Sequence, residues 1–245
     1  MLRILFNQKP RVDTGLYRQC LESIEDFCAA IRKRSGRSGE FSVYDRLELA
    51  AQAFTRALDE LEQSIYCAKK LKEHVVHSTT REMDHSELLD YYRHLYFYKN
   101  AFIRIFSILD KLGYFMNVLF QARTEKIKPR FSFFTVLRQL NRLKLEPELT
   151  RKLNAYKSEY GEALQRLREK RNLEIHLINV ELLDDFHLRQ KQSLDHQNIE
   201  NLSDNLRDLD QGYEMVCRSL LATFDYAIQY VDRKGFEVKE ASEWA

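Results

Sequence analysis

Leu47, Ala51, Phe54, Leu58, Leu61, Ile65 and Ala68 recur at alternating intervals of four and three residues. Side chains so spaced line one face of an α-helix, because successive residues turn by about 100°. A strand would scatter them over both of its faces. So long an apolar face is stable only when buried against other helices, which commits this region to a bundle. Composition extends the argument to the rest of the chain. Only seven glycines and three prolines interrupt 245 residues, leaving long segments between helix breakers. The expected fold class is all-α, an up-and-down bundle of about five or six helices.

The remaining elements follow from caps and breakers. Residues 1–12 form a lead-in that ends near Pro10, and a first helix starts at Asp13 or Thr14. Its apolar positions are Leu16, Cys20, Ile24, Phe27 and Ile31, and the run from Arg34 to Gly39 breaks it. Ser42 caps the second helix, with Asp45 as an imperfect capping box, and that helix extends to about His77. A third, strongly aromatic helix opens near Ser86, and its Gly113 permits a close helix crossing. A basic loop follows, then a short helix over Phe131–Lys144. Pro147 begins a fourth long helix carrying Leu153, Tyr156, Tyr160, Leu164 and Leu167, in register with Arg171. A polar stretch over residues 184–203 precedes a last helix over about 203–233, stopped by Gly235. The expected organisation is an N-terminal helical extension (1–42), a bundle (43–235) and a tail (236–245).

Net charge is only +2, yet its distribution is uneven. Residues 123–171 hold 14 basic and 6 acidic side chains, whereas residues 172–245 hold 7 and 15. Two readings stand: helices of opposite charge attracting each other, or a basic wall for a polyanion. Lys126, Lys128, Arg130, Arg138 and Arg142 are the candidate backbone contacts for RNA, or simply a solvated face. The four cysteines lack metal or disulfide spacing, so reduced thiols in a cytoplasmic protein are expected. No apolar run is long enough to span a bilayer, so no membrane partner is expected. His74, His77, His85 and His94 have no accompanying ligand cluster, and no metal or other cofactor is expected.

One hexapeptide stands apart: Arg171-Asn172-Leu173-Glu174-Ile175-His176. Extending the fourth helix's leucine stripe by one turn places Arg171 on it, where a cation is costly unless paired or facing a wet cleft. A cleft between two copies of the helix in a symmetric dimer would bring two Arg-Asn-His sets together. The bland alternative is a buried Arg171–Glu174 pair with a satisfied His176.

The Arg-Asn-x3-His pattern, on a late helix of an all-α chain, resembles the HEPN superfamily (higher eukaryotes and prokaryotes nucleotide-binding domains). The preceding core helix around Phe106–Leu112 is similar as well, and the resemblance covers about residues 43–235. It implies a homodimer whose motifs meet at the cleft and, in many members, metal-independent RNA endonuclease activity in phage defence, toxin–antitoxin or RNA-processing systems. It also implies roles: Arg171 for phosphate and transition-state charge, His176 for proton transfer, Asn172 for positioning. The residue types suit that chemistry, since an imidazole titrates near neutral pH and a guanidinium grips phosphate bidentately. Arg189 and His196 match a looser spacing but lack the Asn, and Ile178 stands where some active members carry Tyr. The alternative is a non-catalytic HEPN-like module for dimerisation, partner or nucleotide binding. An antitoxin or a nucleotidyltransferase would be its partner.

Overall fold

A computed structural model describes residues 2–34, 42–176 and 199–234. The fold is the all-α bundle expected, and every regular element among the described residues is helical. Seven α-helices occur there: α1 (Gly15–Arg32), α2 (Val43–Lys72), α3 (His85–Leu119), α4 (Phe133–Arg142), α5 (Pro147–Glu159), α6 (Gly161–His176) and α7 (Leu202–Lys234). Short 3-10 turns lie at Leu2–Phe6 and Thr124–Lys126.

Local chemistry accounts for several boundaries. The Ser42 amide donates to Asp45 Oδ2 at 2.7 Å, and the Asp45 amide donates to Ser42 Oγ at 3.2 Å. That reciprocal pair is a complete capping box, built with Asp rather than the usual Glu. α2 stops at Lys72, short of His77. Its last carbonyls accept tight i+3 bonds from Glu73, His74 and Val75 (3.3, 3.1 and 3.1 Å), and Val75 turns into a satellite cluster with Met83, Tyr91 and Leu202.

The fourth long helix expected from the leucine stripe is two helices, α5 and α6. The Tyr160 carbonyl accepts the Leu164 amide at 3.1 Å, which starts α6, and Gly161 follows. Glycine costs about 1 kcal/mol against alanine inside a helix, so the helix gives way there.

The chain forms two compact units. One comprises Val12–Asp59, Ser107–Glu159 and Met215–Ala245. Its centre is aromatic: Phe27 of α1, Phe54 of α2, Phe115 of α3 and Phe224 of α7 pack with ring centroids 5.0–6.2 Å apart, most of them edge-on, as ring quadrupoles favour. α1 buries Cys20, Ile24, Phe27, Cys28 and Ile31 here. Cys20 Sγ donates to the Cys217 carbonyl at 3.2 Å, and Ser23 Oγ donates to Asp225 at 2.6 Å. A Cβ on Gly113 would stand 2.7 Å from the Phe133 Cα, so the close approach of α4 to α3 requires glycine.

The other unit comprises Met1–Arg11, Glu60–Phe106 and Tyr160–Glu214. It buries Leu61, Ile65 and Ala68 of α2, Tyr98, Phe102 and Ile105 of α3, Ala163, Leu164 and Leu167 of α6, and Leu202 and Leu209 of α7. His94 is fully buried, with Nδ1 2.8 Å from the Ala68 carbonyl oxygen. Arg3 and Arg11 both pair with Glu62, and Arg3 lies 4.0 Å from the Tyr66 ring. Leu89, Tyr92, Tyr96 and Ile103 are exposed at helical spacing along α3. Among the described residues, no helix is long and apolar enough to cross a membrane.

Candidate active site

α6 carries the hexapeptide on its last turn and a half. The helix enters with Ala163, Leu164 and Leu167 buried. A third leucine at position 171 would have prolonged the stripe, but the chain supplies Arg171, which is half-buried rather than buried. Its guanidinium lies 5.6 Å from the Phe106 ring of α3, and Nη1 donates to Asn172 Oδ1 at 3.0 Å. The expectation of an arginine on the buried face is corrected to this edge position. A long cationic side chain reaches water from there while its stem covers apolar surface.

The inward positions at this end of α6 belong to Lys170 and Glu174. Lys170 pairs with Glu200, donates to Asn205 Oδ1 at 3.0 Å, and stands 5.6 Å from the Tyr98 ring. Glu174 pairs with Lys99 of α3 at 3.2 Å. One turn nearer the start of α6, Arg166 grips Asp208 of α7. At about 100° per residue, Asn172 and His176 fall on the side of α6 opposite the Lys170–Glu174 anchors, and both are exposed. Arg171 and His176 are separated by roughly 140° around the axis.

The helix therefore brings Arg171 and Asn172 into direct contact and leaves His176 outward on the final turn. The five basic candidates lie in the other unit. Lys126, Lys128, Arg130, Arg138 and Arg142 are all exposed there, Arg138 and Arg142 on α4 and the others in the connection before it. Arg189, His196 and Ile178 lie outside the described residues.

The other sequence candidates take ordinary structural places. His74 and His77 each face a carboxylate at 2.7 Å, Asp90 and Glu87 respectively. The hydrogen bond to Glu87 raises the His77 pKa above its usual value. Burial lowers that of His94, and burial likewise raises the Tyr98 phenol. All four cysteines are buried, and none is in a disulfide. Burial pushes the Cys28 and Cys67 thiols up to about 11, which keeps them as unreactive thiols. Among the described residues, no group of three or more His, Cys, Asp or Glu is placed to hold a metal ion.

Glu174 and the helix around Phe106 are legible in the sequence, but the partners that Lys170 and Glu174 take are not. Lys99, Glu200 and Asn205 lie 75, 26 and 31 positions from Glu174 in the chain. Lys99 and Phe106 share one face of α3 at a spacing of seven, a signal indistinguishable from ordinary core periodicity until α6 is placed beside it.

No curated protein and no solved structure matches the chain. A family model described as HEPN_Cthe2314-like HEPN matches residues 51–228, a span that opens within α2, closes within α7 and includes the whole hexapeptide. With that span matched and the motif on the late helix of an all-α bundle, the chain belongs to the HEPN_Cthe2314-like HEPN family and so to the HEPN superfamily.

Proposed function

We propose that this protein is a metal-independent RNA endonuclease whose site forms where two copies bring their α6 motifs together. The observation that carries the reading is the state of Arg171. Its guanidinium is steadied by Asn172 Oδ1 and the Phe106 ring, and the residue keeps part of its surface in solvent, as an anion-binding group must.

In this mechanism a ribose 2′-oxygen attacks the adjacent phosphorus. His176 takes the 2′-hydroxyl proton, the P–O5′ bond breaks, and the 5′-oxygen leaves with a proton supplied by a second acid. The products are a 2′,3′-cyclic phosphate and a free 5′-hydroxyl. Arg171 neutralises the charge that builds on the non-bridging oxygens, and Asn172 aligns Arg171. The roughly 140° between Arg171 and His176 argues that a phosphate held by one chain's arginine meets the histidine of another, and a two-fold dimer supplies that geometry and the second acid. The exposed cations Lys126, Lys128, Arg130, Arg138 and Arg142 serve as backbone contacts for RNA in this reading. In this reading the setting is phage defence or a toxin–antitoxin system, with an antitoxin or a nucleotidyltransferase as partner. Incubating the purified protein with RNA in EDTA is the direct test. Cleavage to cyclic-phosphate ends is expected, lost in His176→Ala; activity that survives the substitution overturns the proposal.

A second reading, a non-catalytic module for dimerisation or partner binding, draws on the exposed apolar stripe of Leu89, Tyr92, Tyr96 and Ile103 on α3. Exposed large apolar side chains set along one helix face in this way suit a protein contact. That reading expects no cleavage of any RNA, and a fall in molecular mass in solution when Tyr92 and Tyr96 are replaced by Ser.

A further inference from the structure

Glu174 sits inside the motif, three residues after Arg171. At that spacing on a helix, a carboxylate reaches an arginine, with Cβ atoms about 5–6 Å apart. Such a pairing would occupy the guanidinium and set a negative charge beside any incoming phosphate. The structure gives Glu174 to Lys99, with Nζ 3.2 Å from Oε2 and only 15% and 17% of the two side chains exposed. Arg171 is turned to Asn172 and to the Phe106 ring. Lys99 and Phe106 both belong to α3, seven residues apart and hence on one face. One face of α3 thus presents a cation to the motif's carboxylate and a ring to the motif's arginine.

We propose that Lys99 is a positioning residue that insulates Arg171 from Glu174, keeping the guanidinium available to a phosphate. The proposal rests on reading Arg171 as a phosphate ligand. Lys99 acts through Glu174 and touches no substrate: it neutralises the carboxylate and holds it to α3. Without Lys99, Glu174 loses this cation, and the Arg171 guanidinium three residues away on the helix comes within reach of its carboxylate. Glu174 then pairs with it, and RNA is met by a neutralised arginine and an added acidic neighbour.

The test uses the full chain carrying His176→Ala, so that RNA is bound but not turned over. Affinity for a labelled single-stranded RNA is measured by fluorescence anisotropy in this parent, with Lys99→Ala, with Glu174→Gln and with both. Lys99→Ala is expected to weaken binding about tenfold, the effect of one unneutralised charge near 6 Å in a half-wet site. Glu174→Gln binds like the parent, and the double variant recovers to within about twofold of it, inside the ordinary scatter of near-neutral surface changes. Unchanged binding in Lys99→Ala overturns the proposal. So does a double variant as weak as Lys99→Ala, which would make Lys99 a direct RNA contact or a packing residue. If the parent binds no RNA, the nuclease reading fails separately, and insulation is decided by NMR of the Arg171 Nε–Hε group. A resonance that moves in Lys99→Ala and returns with Glu174→Gln supports insulation; one that stays in place rejects it.

Discussion

Arg166 of α6 holds Asp208 of α7 through two hydrogen bonds, Nε to Oδ2 at 2.8 Å and Nη2 to Oδ1 at 2.7 Å. The guanidinium is half-exposed while the carboxylate is almost wholly buried, at 50% and 7%. Planar bidentate pairing of this kind fixes geometry as well as charge. It joins the helix that carries the motif to the helix packed against it.

Replacing Arg166 by Ala leaves the Asp208 carboxylate buried without this cation. The expected loss is about 2 kcal/mol, below the range for a fully buried pair because water reaches the arginine side. Urea denaturation measures it. A double variant, Arg166→Met with Asp208→Leu, should recover much of the loss, since no charge is then stranded.

Gly113→Ala should be costly. Its Cβ would meet backbone atoms of Phe133 at 2.7 and 3.0 Å, which cannot swing aside as a side-chain tip can. A loss of about 1–3 kcal/mol is expected. In Gly212→Ala the nearest atoms are the side-chain tips Ile105 Cδ1 and Leu167 Cδ1, at 2.7 and 3.0 Å, and the loss should be smaller. Thermal unfolding of the two variants side by side ranks them.

Two histidines should bend the stability–pH curve in opposite directions. His77 is raised above its usual 6.5 by its hydrogen bond to Glu87. Its contribution is complete below pH 6.5 and disappears as pH climbs through the raised folded value. Hydrogen bonds from the His77 backbone and side chain lower Glu87 below its usual 4.5, so its share is present above pH 4.5 and lost as pH falls through the lowered value. His94 is lowered from 6.5, chiefly by burial. The unfolded chain takes up that proton first, so stability falls as pH drops below 6.5 toward the folded value. Glu87→Gln should flatten the alkaline side of the curve, and His94→Gln the acidic side. Denaturant midpoints across pH 5 to 8, the range in which histidine charge changes, measure both.

Arg171→Lys keeps the charge but not the fork. Under the nuclease reading, kcat should drop by about a hundredfold or more, the usual cost of losing a placed donor to a developing oxyanion. The circular dichroism spectrum should be unchanged, because Arg171 lies at the edge of the packed face and not in the core. Single-turnover cleavage assays at saturating protein separate this loss from weaker binding.

How far the chain can be read without its structure depends on the range of the interactions involved. The α2 stripe, the Ser42–Asp45 cap, the Pro147 start and the close crossing at Gly113 rest on neighbours within a few residues or on glycine's missing Cβ. Each was visible as spacing or residue type. The long helix expected through Tyr160 was misread because an unbroken apolar stripe also fits two helices that meet at Gly161. The motif stood out through Arg171, a cation where a leucine was due, with an Asn and a His close by. Its surroundings did not.

The sequence by itself determined that the chain is all-α, where most of its helices begin, and where a cation interrupts the leucine stripe, because helical periodicity and capping are local. Only the tertiary structure decided that Lys170 and Glu174 take the inward positions, that Arg171 rests on Phe106 at the edge, and that Lys99 claims Glu174. Those outcomes turn on competition between partners far apart in sequence. Charge pairing in a half-buried setting is settled by which group folding brings within about 4 Å, and no spacing along the chain records that.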